Sequence, residues 1–289
     1  MTAAGVRWSL KTHQRGWRYE DTLRLFRLAD ALPDIHAVYL NDHLYGESLE
    51  TWTTLSACLA QTSRVRGGTM VTSNSFRHPT ILARMTTTVD IISNGRLILG
   101  LGAGNEAFEY ATFGLEFPAP RERVDRLEEA CVVLKAAWSG EPTTYAGTYY
   151  RLVDAAFTPL PVQRPHPTLI LGVKGDRALG VAVRHADEWN WNRSQSDTAE
   201  FLERMDRLDA LCEAAGRDPA SLPRGMGYRR LLSEIEAGRE TFDDAVEVTQ
   251  RCIRRGASQI VLMLGTADQF ESEIDFYRER FIPAVLAGV

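Results

Sequence analysis

Gly95-Arg96-Leu97-Ile98-Leu99-Gly100-Leu101-Gly102-Ala103-Gly104-Asn105-Glu106 is the stretch whose reading decides the fold. Its first half, Arg96 to Leu101, is a short apolar run of the kind that fills a strand buried on both faces. Its second half places glycines at alternate positions and then turns polar. A buried strand that ends in glycines lets a flat group approach the backbone, because no Cβ stands in the way. Gly102, Ala103, Gly104 and Asn105 are therefore candidate cofactor contacts. A dinucleotide fingerprint would need G-x-G-x-x-G, with its third glycine where Asn105 stands. The stretch also follows several strand–helix units, whereas a Rossmann fingerprint belongs to the first one. That reading is rejected.

Outward from this strand, the chain alternates strand and helix signals. Strands are expected at Gly5–Thr12, Ile35–Leu40 and Gly68–Thr72 before the glycine strand, which is the fourth. Helices separate them at Tyr19–Leu32, Trp52–Ser63 and from Pro79, whose place suits a first helical turn. After Glu106 the period lengthens. A short helix (Glu106–Phe113), a long one (Arg121–Trp138), a hairpin over Thr143–Tyr150 around Ala146-Gly147 and a Pro-rich connection precede the fifth strand, Thr168–Leu171. Asp187–Trp191, Gly225–Leu232 and Gln259–Leu264 are the sixth, seventh and eighth strands, with helices at Asp197–Ala215, Phe242–Arg255 and Ala267–Leu286. Right-handed crossovers close eight such units into an α/β (β/α)8 barrel, here one domain over residues 1–289 with insertions after the fourth strand and around the fifth.

Composition agrees. A length of 289 residues suits such a barrel, and 44% hydrophobic with 25% charged residues describes a globular chain with a sizeable core. A net charge of −5 gives no reason to expect nucleic acid or an anionic membrane as partner. Cys58, Cys131, Cys212 and Cys252 show no ligand spacing, so buried free thiols in a reducing cytoplasm are expected. No signal segment or long apolar run is present. The expected partners are a small-molecule substrate and a second copy in a homodimer.

Barrel chemistry sits in the loops after the strands. The polar residues there are Asp42-His43, Ser73 to Arg77, Asn105-Glu106, Lys174 and Asn190 to Asn192. His43 with Asp42 reads either as an acid–base pair, Asp42 tuning the ring, or as loop caps. Glu106 reads as a catalytic carboxylate or as a first-turn acid of the next helix. Gly172-Val173-Lys174-Gly175 reads as a phosphate cradle of free N–H groups and an ammonium, or as an ordinary glycine turn. No set of residues has metal-ligand spacing, and no nucleophilic triad appears.

One series of motifs goes further. Phe76-Arg77-His78-Pro79, Asp90 to Leu97, Leu99 to Gly104 and Glu109-Tyr110 resemble the luciferase-like flavin and deazaflavin oxidoreductases. So do Arg123 with Glu128-Glu129, Trp138 to Pro142, Gly147 to Tyr150, Pro161 to Pro167 and Ala186 to Asn190. Within that superfamily the chain looks most like the F420-dependent branch. The resemblance implies a non-proline cis peptide at a bulge of the third strand, placed at Thr69-Met70 by counting back from Pro79. Thr69 and Met70 would then back the bent deazaflavin, Asp42 and His43 would lie beside its ring, and Gly172 to Gly175 would hold its phosphate. It implies hydride transfer at C5 of F420, with His43 and then Glu106 as the groups that move the proton. In the sugar-phosphate dehydrogenases of this branch a glutamate directly follows the glycine strand; here Asn105 stands there, which argues against that substrate. An FMN-dependent two-component monooxygenase and a non-catalytic deazaflavin-binding relative are the alternatives.

Overall fold

The computed structural model describes residues 5–192, 198–228 and 230–289. Eight parallel strand positions close on themselves: β1 (Arg7–Thr12), β2 (Ile35–Leu40), β3 (Arg66–Thr69) continued by β4 (Thr72–Ser73), β5 (Leu97–Gly102), β8 (Thr168–Gly172), β9 (Glu188–Asn192), β10 (Arg224–Gly227) and β11 (Ala257–Met263). Pairing of Gly67 with Leu97 and of Arg7 with Gln259 joins the ends of the series into a barrel. The hairpin β6 (Thr143–Ala146) and β7 (Arg151–Ala155) lies outside it as a separate antiparallel pair.

The glycine strand shows why its residues alternate. Leu97, Leu99 and Leu101 join the large core between strands and helices, while Ile98 joins the cluster inside the barrel with Ala37, Tyr39, Met70, Ile170 and Val261. A strand buried on both faces needs apolar residues at every position. Nearer the N-terminal ends of the strands, the barrel interior turns polar. Arg7 lies 2.5 Å from Glu188, and Gln259 donates to Ser9 Oγ at 3.1 Å and to Tyr39 Oη at 2.9 Å.

The helices follow the expected order: α1 (Tyr19–Ala31), α2 (Thr51–Leu59), α3 (Pro79–Ile92), α4 (Ala107–Thr112), α5 (Pro120–Ser139), α6 (Asp176–His185), α7 (Thr198–Ala214), α8 (Leu231–Glu236), α9 (Phe242–Arg254), α10 (Phe270–Phe276) and α11 (Ile282–Leu286). Among the described residues, no helix is long and apolar enough to cross a membrane. Several sequence motifs prove to be clamps. Glu129 of α5 accepts N–H groups of Thr148 at 2.7 Å, Tyr149 at 2.9 Å and Tyr150 at 3.1 Å, tying the hairpin turn to the barrel. Asp90 of α3 does the same for Val162 at 2.7 Å and Gln163 at 2.9 Å in the Pro-rich connection. All four cysteines are buried thiols outside any disulfide.

Five expectations need correction. The third strand stops at Thr69, because the sheet breaks at residues 70 and 71 and resumes at Thr72. The cis peptide in that break is Met70-Val71, one bond later than Thr69-Met70, since Thr69 still belongs to the regular ladder opposite Leu40. The seventh strand ends at Gly227 rather than Leu232; Arg230 adopts a left-handed conformation (φ 32°) and Leu231 already opens α8. The hairpin turn occupies residues 147–150, closed by Gly147 N–H donating to Tyr150 O at 3.0 Å, so the second arm runs on to Ala155. The last helix begins at Phe270 and is interrupted by a π turn over Tyr277–Phe281, just before Pro283, which has no N–H to return to the helix ladder.

Candidate active site

The mouth of the barrel has a floor made by the chain itself. At the break in the third strand the backbone crosses towards β5, and an added Cβ at Gly100 would meet the Thr69 carbonyl at 2.1 Å. The next inward positions, Gly102 and Gly172, lie beneath Val71: a Cβ on either would meet its methyls at 2.8 Å and 2.6 Å. The glycines therefore make room for the bulge, and partly exposed Val71 is what they raise towards the mouth. Gly104 (φ 87°) clears the Ser73–Tyr110 hydroxyl pair in the same manner, its Cβ position lying 2.7 Å from Ser73 Oγ.

The wall beside this floor comes from the loops after β1, β2 and β5. Buried Gln14 ties the first two together, its Nε2 donating to Asn41 O at 3.3 Å and its Oε1 accepting the Asn41 N–H at 3.2 Å. Asn41 Nδ2 reaches His13 Nδ1, and the His13 and His43 rings stack at 6.4 Å. Asp42 turns away from His43. It accepts from Arg77 Nη1 at 2.5 Å and from Trp52 Nε1 at 3.3 Å, and Arg77 also reaches Glu50 at 2.9 Å. The acid that meets His43 is Glu109 of α4, with Oε2 3.2 Å from Nδ1. Glu106 stands at the N-cap of α4 without a capping bond and accepts from the Asn105 amide at 3.1 Å. Tyr45 spans the rim, 4.9 Å from His43 and 4.8 Å from exposed Phe108. Burial, and then the Glu106 carboxylate, hold its hydroxyl above the usual tyrosine value.

The β8–α6 loop follows the strand paired to β5 on its other side. Gly175 is the N-cap of α6 and offers no side chain to the helix's first N–H groups. Lys174 is half exposed, with its ammonium 2.8 Å from Glu200 and 5.0 Å from the centre of the Trp191 ring. Val173 is buried and its carbonyl accepts from Trp189 Nε1 at 2.7 Å. Among the described residues no group of acids, histidines or cysteines could hold a metal.

Comparison with known proteins agrees with this arrangement. Residues 6–279 match the family model described as luciferase-like monooxygenase. The chain belongs to that family. An F420-dependent glucose-6-phosphate dehydrogenase of Microbacterium testaceum is 35% identical over 63% of this chain and 55% of that protein. An F420-dependent hydroxymycolic acid dehydrogenase of Mycobacterium tuberculosis is 33% identical over 71% of this chain and 58% of its own. The chain thus aligns with a little over half the length of each. In fold it is similar to a coenzyme F420-dependent tetrahydromethanopterin reductase from Methanopyrus kandleri, with a TM-score of 0.80 and 18% identity, covering 96% of this chain and 99% of that one.

In this luciferase-like chain the loops that the sequence reading picked out lie at the mouth of the barrel, together with side chains it gave no role. Met70 lies in the break, buried inside the barrel, and Thr69 ends the ladder just before it. Asn190 lies within β9 rather than after it, buried in the barrel with no partner for its Nδ2 among the described residues. The Asn192 side chain lies outside the described residues. Trp52 and Glu109 were not assigned to the site, and Arg77 was placed in its loops without a role. For Glu109 the signal existed: Glu109-Tyr110 on a short helix after the glycine strand turns one acid inward while Glu106 stays at its start. Two buried acceptors near the mouth, Asn41 Oδ1 and Asn74 Oδ1, have no partner among the described residues.

Proposed function

We propose that this chain is an F420-dependent oxidoreductase that transfers a hydride between C5 of the deazaflavin and a small organic substrate. The observation that carries the reading is the floor, where Val71 stands over Gly102 and Gly172 as an apolar rest for a bent ring. Asn41 Oδ1 and Asn74 Oδ1 are buried acceptors in want of donors, which a deazaflavin's ring N–H supplies. The names of the two curated relatives support the same cofactor. F420 brings the hydride chemistry, and the protein contributes orientation and proton handling.

In this reading the free N–H groups at the start of α6, with Gly172, Val173, Lys174 and Gly175 around them, hold the cofactor's phosphate. Gly102, Ala103, Gly104 and Asn105 edge the ring site, and Asp42 is held off it by Arg77. His43 exchanges the proton that accompanies hydride transfer, with Glu106 second. Asn105 has no proton to exchange near neutrality, so the substrate is an alcohol, ketone or activated double bond other than a sugar phosphate. A homodimer in a reducing cytoplasm goes with this assignment, and sedimentation of the purified chain tests the assembly.

Titration with F420 and with FMN is the deciding experiment. Binding of F420 at least about tenfold tighter than FMN is expected, a gap of about 1.4 kcal/mol. FMN binding as tight or tighter would replace this reading with the monooxygenase one. His43→Ala is expected to keep F420 affinity within a few-fold and to lose about 100- to 10,000-fold in turnover. Glu106→Gln should cost less. Lys174 must exchange Glu200 for phosphate, so Lys174→Ala should weaken F420 binding only about tenfold.

A further inference from the structure

We propose that Glu109 is the positioning residue of His43: it fixes the ring with the proton on Nδ1, leaving Nε2 as the atom that meets the substrate. The proposal rests on the reading of His43 as the proton carrier. Glu109 is 1% exposed, so its carboxylate must have partners, and both oxygens have one. Oε1 accepts the backbone N–H of Leu44, and Oε2 lies 3.2 Å from His43 Nδ1. An ionised carboxylate only accepts, so the hydrogen between Oε2 and Nδ1 belongs to the imidazole. A neutral ring protonated at Nδ1 has a bare Nε2, ready to take a proton; the charged ring can return one from the same atom.

The geometry fixes position as well as tautomer. His43 and Leu44 are consecutive, so one carboxylate grips both the ring and the backbone just beyond it. Tyr45 closes on the ring at 4.9 Å, and Phe108, the neighbour of Glu109 on α4, backs Tyr45 at 4.8 Å. Asp42 cannot serve instead, since Arg77 and Trp52 occupy it.

The test is the 15N spectrum of histidine-labelled protein without cofactor, followed from about pH 6 to about pH 9 and assigned with His43→Gln. A neutral His43 protonated on Nδ1 is the expected result; the Nε2–H tautomer in the wild-type chain overturns the proposal. In Glu109→Gln the amide oxygen keeps Leu44, and the amide NH2 then faces Nδ1 and drives the proton to Nε2. Turnover should fall by about 100-fold or more with F420 affinity within a few-fold, and Glu109→Asp, which still accepts, should recover part of it. A folded Glu109→Gln protein with unchanged tautomer or full turnover overturns the proposal; if that variant does not fold, the wild-type spectrum decides alone. A normal rate in His43→Ala, with the Nδ1–H tautomer present, would instead remove the proton role and leave the ring geometry standing.

Discussion

His36, the second residue of β2, stands among arginines. Burial first, and then the charges of Arg7, Arg66 and Arg64, push its imidazole down to about 4. The unfolded chain takes up that proton near pH 6.5, so the folded state is fully favoured above that pH. Between pH 6.5 and about 4 the stability contribution is lost progressively, and below the folded value no more is lost. The total is up to about 3 kcal/mol. In His36→Asn, denaturant midpoints should fall less steeply than wild type over that window; parallel curves would show that His36 stays solvated. At this scale the sequence was legible as types and places, not as pairs. Asp42 beside His43 looked like a couple, yet the backbone turns them to opposite sides and the partner comes from 66 residues further on. Adjacent residues in a strand or its extension point apart, so adjacency was the wrong guide.

The glycine strand carries its meaning at the level of the element. The empty Cβ positions at Gly100, Gly102 and Gly172 are used by the bulge, and they are not equally replaceable. Gly100→Ala would press a methyl on the Thr69 carbonyl, which is backbone and cannot rotate away, and is expected to cost about 3 kcal/mol or more. Gly102→Ala meets chiefly a Val71 methyl at 2.8 Å, with the Gly172 carbonyl at a milder 3.3 Å, and should cost about 1–2 kcal/mol, with Val71→Ala restoring most of it in a double-mutant cycle. Thermal unfolding of the four variants against wild type checks both statements; equal losses at Gly100 and Gly102 would contradict them. The strand's two-sided burial and its place as fourth in the barrel were plain from its residues. The bulge was not, because an interruption of two residues leaves no periodic trace, and counting back from Pro79 missed the cis bond by one. The motifs Asp90 and Glu129 were legible only as patterns; their work as acceptors for distant backbone N–H groups appears once the chain is folded.

For the whole molecule, closure of the barrel brings Arg7 of the first strand to Glu188 of a strand 181 residues later. Burial raises the Glu188 carboxyl and Arg7 opposes that, which marks an ion pair held by its surroundings. Glu188→Ala leaves the Arg7 charge without its partner and should cost about 3 kcal/mol, whereas replacing both by apolar residues should cost less than the sum of the singles. Chemical denaturation decides, and additive losses would show that the pair is not coupled. The eight-strand order was readable because helix and strand periods alternate so regularly; the polar layer inside the barrel was not, since its members come from four strands that only closure assembles. The buried cysteines have a practical side. Cys58 and Cys131, buried, have thiols pushed up to about 12, and Cys212 and Cys252 are buried too. A thiol reagent finds nothing to react with until the barrel opens, so its uptake keeps time on unfolding, and a single cysteine placed at exposed Phe113 would be the one labelled position in the native protein.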